Sequence, residues 1–207
     1  MAQPDLLGAD SGLLLDDSSG RIRYLREAVP AERAQAWFAQ LRDGIEWHSE
    51  RREMYGREVD VPRLTASFRL DDPTLPHALR EAADVVLGLT EIAFDSAGLN
   101  LYRDGNDSVA PHNDHLDELQ RGYPIALLSL GATRRMTIRA KQPPRRVLNV
   151  DLEPSSLLLM SWRTQHNYDH GIPKTRESVG ARISIAFRRR PEGTSTGGGG
   201  FYRAPAR

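Results

Sequence analysis

From position 98 to 187 the sequence breaks into short runs of β character separated by turn residues, and such runs bury their apolar sides only by stacking as sheets. The runs cover 99–103, 125–130, 136–139, 147–150, 156–160 and 181–187. Between them stand Asp104-Gly105-Asn106, Gly131, Pro143-Pro144, Glu153-Pro154 and Gly171-Ile172-Pro173. Many strands at close spacing predict a sandwich or jelly roll. Upstream the period changes to that of helices. Ala34, Trp37, Phe38 and Leu41 recur at i, i+3, i+4 and i+7 over 31–43, with Pro30 as helix opener. A second helix is predicted after Thr74, which can cap it, with Leu75, Leu79, Ala82, Ala83 and Val86 on one face. The expected class is α+β, mostly β, with amino-terminal helices covering a sheet.

A chain of 207 residues at 39% hydrophobic content can bury one sizeable core, which predicts a single domain over 21–190 between tails at 1–20 and 191–207. Gly197 to Gly200 mark the second tail as flexible. Lys plus Arg and Asp plus Glu balance at 28 each, so any nucleic-acid or membrane partner must be met by a local patch. The absence of cysteine excludes disulfides, thiolate metal sites and a cysteine nucleophile. Leu13-Leu14-Leu15 is too short and too acid-flanked for a signal or a spanning helix, which predicts a cytoplasmic protein with no membrane partner; a monomer is expected.

Without cysteine, a transition metal must sit on histidine and carboxylate. A His-x-acid pair on a strand places both side chains on one face. Composition alone supplies roughly 0.8 such pairs by chance. Three are present: His48-Ser49-Glu50, His112-Asn113-Asp114 and His115-Leu116-Asp117. Position favours His112 and Asp114, which follow the turn at 104–106 and open the strand-rich half. A two-His-one-carboxylate triad then needs His166 or His170. His170 is preferred because it precedes Gly171-Ile172-Pro173 and the final strand.

On that last strand Arg182, Ser184 and Arg188 fall at even offsets, opposite Ile183, Ile185 and Phe187. The polar set is either the solvated face of an edge strand or an inward pair of cations waiting for anions. Asn100 and Tyr102 repeat the spacing.

Taken in order, Asn100-x-Tyr102, His112-x-Asp114, His170 and Arg182-x-Ser184-x-x-x-Arg188 resemble the AlkB-like 2-oxoglutarate/Fe(II) dioxygenases over most of the chain. Pro124 to Gly131, followed by Arg134 and Arg135, looks like that family's central strand. The resemblance implies a double-stranded β-helix with Fe(II) on His112, Asp114 and His170, and 2-oxoglutarate contacts from Asn100, Tyr102, Arg182, Ser184 and Arg188. Arg182 would take the far carboxylate, and Arg188 would lie beside the chelating carboxylate and Asp114. The implied chemistry consumes O2 and 2-oxoglutarate, releases succinate and CO2, and oxidises an N-alkyl group of DNA or RNA whose carbon leaves as an aldehyde.

The departures concern the substrate. Ser184 stands where the family usually carries Asn, and its hydroxyl still offers a hydrogen bond. Leu116 fills a place where the repair enzymes often carry a base-contacting acid. The stretch 61–69 resembles the substrate-lid entry but lacks an aromatic-Gly pair, leaving Phe68 either as a stacking ring or as ordinary packing under the helices. Arg134, Arg135, Arg139, Lys141, Arg145 and Arg146 crowd a hairpin-like region that is either a grip for phosphates or a solvated face balanced by the acidic amino terminus, with Trp47, Tyr55 and Trp162 as candidate stacking surface and Trp37 in the core. Two other readings stay open: the same fold oxidising a protein or small metabolite, and a non-catalytic jelly-roll binding module.

Overall fold

The structure, a computed structural model, describes residues 12–54 and 57–191 and, within them, the side chains outside positions 50–60. The first half runs β1 (Leu13–Asp17), β2 (Gly20–Leu25), α1 (Ala31–Gly44), β3 (His48–Met54), β4 (Arg57–Arg69) and α2 (His77–Thr90). The second runs β5 (Ser96–Tyr102), β6 (Val109–His112), a 3-10 turn (Leu116–Glu118), β7 (Ile125–Gly131), β8 (Arg134–Ala140) and β9 (Val147–Leu152). It closes with β10 (Leu157–Met160), α3 (Trp162–Asn167), β11 (Tyr168–Ile172) and β12 (Arg182–Arg188).

Eight strands form one sheet in the order β1-β2-β10-β7-β12-β5-β4-β3, and four form a second in the order β6-β11-β8-β9. Neighbouring strands pair antiparallel throughout both sheets. The period-two alternation then divides the large sheet into two faces. Leu99, Leu101, Leu128, Ile183, Ile185 and Phe187 pack against Trp37 and Leu41 of α1 and Leu79 and Val86 of α2. The opposite face, through Tyr102, Leu127 and Ala186, meets Met136, Ile138, Val150, Leu152 and Tyr168. Hence β12 is an inner strand, flanked by β5 and β7, with all seven residues buried. Its polar residues therefore point between the sheets, which removes the solvated-edge reading.

Both helices form where their apolar period runs, and both begin directly after proline, at Pro30 and Pro76. Thr74 is not the cap expected of it. Its hydroxyl and backbone N–H both bond Asp72 Oδ1, an Asx-type turn that ends before Pro76 sets the helix start. The expected amino-terminal tail at 1–20 contains β1, where Leu15 is buried and pairs opposite Ile22. The acids that disguised this strand, Asp16 and Asp17, lie on its exposed end, and Asp17 Oδ1 accepts the Ser19 N–H in the turn to β2. The glycine-rich tail falls outside the described residues. No helix among the described residues is long and apolar enough to cross a membrane.

Candidate active site

β6 and β11 pair so that His112 lies directly opposite His170, with ring centroids 4.6 Å apart. Their close approach depends on Gly171, where a Cβ would stand 2.8 Å from the Val109 carbonyl oxygen. Asp114, two residues past His112, completes a cluster whose three ligand atoms lie within 4.8 Å of one another. His48 is exposed on β3, paired with Thr65 and outside the cluster. His115 leads into the 3-10 turn, and His166 is exposed and stacked on Trp162 at 6.5 Å, so neither joins it.

Electrostatics prepares the three groups for a cation. Burial lowers the pKa of both imidazoles, that of His170 to about 3 with the neighbouring His112 adding to the effect, so both rings are neutral and carry a lone pair. His112 Nδ1 lies 2.9 Å from the Ala110 carbonyl, which assigns the proton to Nδ1 and the lone pair that could take a metal to Nε2. Burial would raise the Asp114 carboxyl, but the Arg188 guanidinium, bonded to Oδ2 at 2.5 Å, outweighs it and brings the pKa to about 2. Two neutral nitrogens and one carboxylate on one side of a point are the donor set of an Fe(II) facial triad.

Beside this cluster, polar rows cross the inner face of the large sheet. Ser184 faces Asn100 on one side and Ser129 on the other, and Arg182 faces Tyr102. Arg182 is fully buried. It donates one bond, from Nη2 to Ser129 Oγ at 3.0 Å, and its guanidinium lies 5.5 Å from the Tyr102 ring centroid. Its Nε and Nη1 are buried and bond nothing among the described residues. Burial lowers its pKa to about 10, which leaves it charged. A buried cation with two unused donors fits an incoming carboxylate, whose two oxygens match the guanidinium fork.

Some polar neighbours were not singled out from the sequence. Arg63 on β4 is buried and donates to Asn100 Oδ1 at 2.8 Å. Its alternation with Thr65, opposite Leu64 and Ala66, was the signal that could have found it. Ser129, the lone hydroxyl in 125–130, was a similar signal.

The structure decides several of the substrate readings. Of the two readings of Phe68, packing under the helices is the one observed: it lies on the helix side of β4, because its parity is opposite to that of Arg63. Four of the six basic residues of the hairpin are bonded within the protein itself. Arg134 is buried and donates to the carbonyls of Asp104, Asp107 and Pro173, and Arg135 makes a two-point pair with Asp151. Arg146 pairs with Asp17, and Lys141 is bound to Asn113. Trp47 donates to the Arg42 carbonyl and packs on the helical core; Trp37 is buried there. Trp162 is half-buried under Arg121, and Tyr55 lies outside the described residues.

Against known proteins, the family model of the 2OG-Fe(II) oxygenase superfamily matches residues 21–188. The chain belongs to this superfamily, and its class is therefore that of a dioxygenase using Fe(II), 2-oxoglutarate and O2. Within it the chain is AlkB-like. It is 31% identical over 175 residues to the DNA oxidative demethylase ALKBH2 of Mus musculus, covering 73% of each chain, and 29% identical to that of Homo sapiens, covering 73% of this chain and 67% of the other. With alpha-ketoglutarate-dependent dioxygenase alkB homolog 3 of Bos taurus the identity is 32% over 183 residues, or 77% of this chain and 63% of the other. The chain thus spans about two thirds of the length of these relatives. Solved structures share the fold: a prolyl hydroxylase of Trichoplax adhaerens at TM-score 0.59 and 11% identity, covering 82% and 83% of the chains, and OsALKBH1 at 0.54 and 13%, covering 81% and 97%.

Proposed function

We propose that this chain is an oxidative demethylase of N-alkylated bases in nucleic acid, acting as a monomer. The observation that carries the site is the cluster of half-buried His112 with buried Asp114 and His170, bonded through Asp114 to Arg188 of β12, the strand that also bears Arg182, a buried cation with two unused donors. The relatives named as DNA oxidative demethylases support the substrate class. His112, Asp114 and His170 would hold Fe(II), with Arg188 keeping Asp114 anionic and aimed. Arg182, steadied by Ser129 and the Tyr102 ring, would bind the far carboxylate of 2-oxoglutarate. Asn100, Tyr102 and Ser184 would line the same pocket, and Arg188 would border its metal end. With both bound, Fe(II) would couple O2 to the oxidative decarboxylation of 2-oxoglutarate to succinate and CO2, one oxygen atom of O2 going to succinate and the other to the N-alkyl carbon, which would depart as aldehyde. The chain's own part is to exclude water and hold the reacting groups in register. Among the described residues the large exposed hydrophobics Leu14, Leu87, Tyr123 and Val147 are scattered over β1, α2, the loop before β7 and β9, which supports a monomer.

A second reading, the same oxidation on a peptide or small metabolite, is favoured by one observation: four of the six candidate phosphate-gripping residues are bonded within the protein. Succinate formation with an N-methylated single-stranded oligonucleotide at low salt separates the two. Stimulation by the methylated strand over its unmethylated copy is the expected result, and turnover that ignores both strands would replace the first reading by the second.

A further inference from the structure

His112 and His170 are placed by the β6–β11 ladder, but Asp114 lies beyond the end of β6 and has no ladder partner. Something else must set its backbone. Its N–H donates to Gln165 Oε1 on α3 at 3.3 Å, and its carbonyl accepts from Asn113 Nδ2 at 2.9 Å. Asn113 Oδ1 in turn accepts from Lys141 Nζ at 2.7 Å, and the same ammonium donates to the Gln165 carbonyl at 3.3 Å. The four residues close a ring across the ligand loop, the end of β8 and α3, the helix that leads into β11 and His170. Lys141 is itself anchored, since its backbone N–H bonds the Asn167 carbonyl and Asp169 lies 3.6 Å from its Nζ.

Gln165 shows that the ring has a purpose. It is fully buried, and the Asp114 N–H fixes which end of its amide is oxygen. Its Nε2 is then left buried with no partner among the described residues. An apolar residue would fill that space without leaving a donor unpaired, so the amide serves for the bond it accepts.

We infer that Gln165, Lys141 and Asn113 are positioning residues, a clamp that holds the backbone of Asp114 in register with His170 for metal binding. The inference rests on the proposed metal site. Groups behind metal ligands of this kind set affinity by about 10–100-fold.

The test is titration of the full chain with Mn(II), counting free ion by electron paramagnetic resonance and recording thermal stability beside it. Lys141→Met and Asn113→Ala, at half-buried positions, are each expected to weaken Mn(II) binding about tenfold or more. The double variant should lose no more than either single one, because a ring is already open after one cut. Gln165→Leu should match them, and Arg135→Ala, which breaks an exposed ion pair elsewhere, should bind as wild type does. Folded variants of wild-type affinity, additive losses, or an equal loss in Arg135→Ala would overturn the clamp alone. A wild-type chain that does not bind Mn(II) would overturn the metal site and the clamp with it.

Discussion

Replacing Arg182 by Met should move two measurements in opposite directions. In the protein without co-substrate, Arg182 is a fully buried cation with one hydrogen bond, to Ser129, and Met fills much of its volume without needing any. The contact with Tyr102 is worth about 0.5–2 kcal/mol. That gain is smaller than the several kcal/mol it costs to keep a charge out of water unpaired. Thermal stability of Arg182→Met should therefore equal or exceed that of wild type. Binding of 2-oxoglutarate should collapse, because its far carboxylate would enter the same apolar surroundings with no counter-charge. Breaking a buried pair in this way costs about 3–5 kcal/mol. At about 1.4 kcal/mol per decade this is two to four orders of magnitude in Kd. Anaerobic calorimetry of 2-oxoglutarate binding to the Mn(II)-loaded protein reads the second quantity, and scanning calorimetry of the metal-free protein reads the first. A variant that binds 2-oxoglutarate within about tenfold of wild type, or that is markedly destabilised while empty, would refute the assignment of Arg182.

Gly171→Val should weaken metal binding, since its Cβ would stand 2.8 Å from the Val109 carbonyl and push β6 from β11; undiminished Mn(II) affinity in a folded variant would contradict this. Phe187→Ala, at a fully buried position beneath the helices, should cost about 3–5 kcal/mol in denaturant unfolding. Asp107 accepts three hydrogen bonds from Arg103, which outweigh the upward push of burial and hold its carboxyl below the usual range. Its contribution to stability is therefore present at neutral pH and disappears as pH falls below about 4 through the depressed value. Asp107→Asn should cost about 1.5 kcal/mol at pH 7, the low end for charged hydrogen bonds because Arg103 is 56% exposed, and the gap to wild type should narrow in acid.

What could be read from the sequence was what local spacing controls. The parity of Arg182, Ser184 and Arg188 against Ile183, Ile185 and Phe187 put the cations on one face, and the structure adds only that this face is buried. The helices over α1 and α2 followed from their apolar period. β11 escaped notice because Asp169, His170 and Gly171 carry no apolar run; it is a strand because β6 and β8 pair with it on both sides. The partners of the basic residues after β7 are hidden from the sequence for a related reason. The acceptors of Arg134 lie at positions 104, 107 and 173, and no local pattern announces a partner so distant in the chain. The bonds from Asp114 to Gln165 and from Lys141 to Asn113 are invisible to spacing in the same way.

Fe(II) and then 2-oxoglutarate added without oxygen test the site most directly, because chelation of the co-substrate to iron produces a visible charge-transfer absorption that neither component shows alone. The band should saturate at one iron per chain in the wild type and be absent in His170→Ala. A band of full intensity in folded His170→Ala, or none in the wild type, would contradict the assignment of His112, Asp114 and His170 as the iron site.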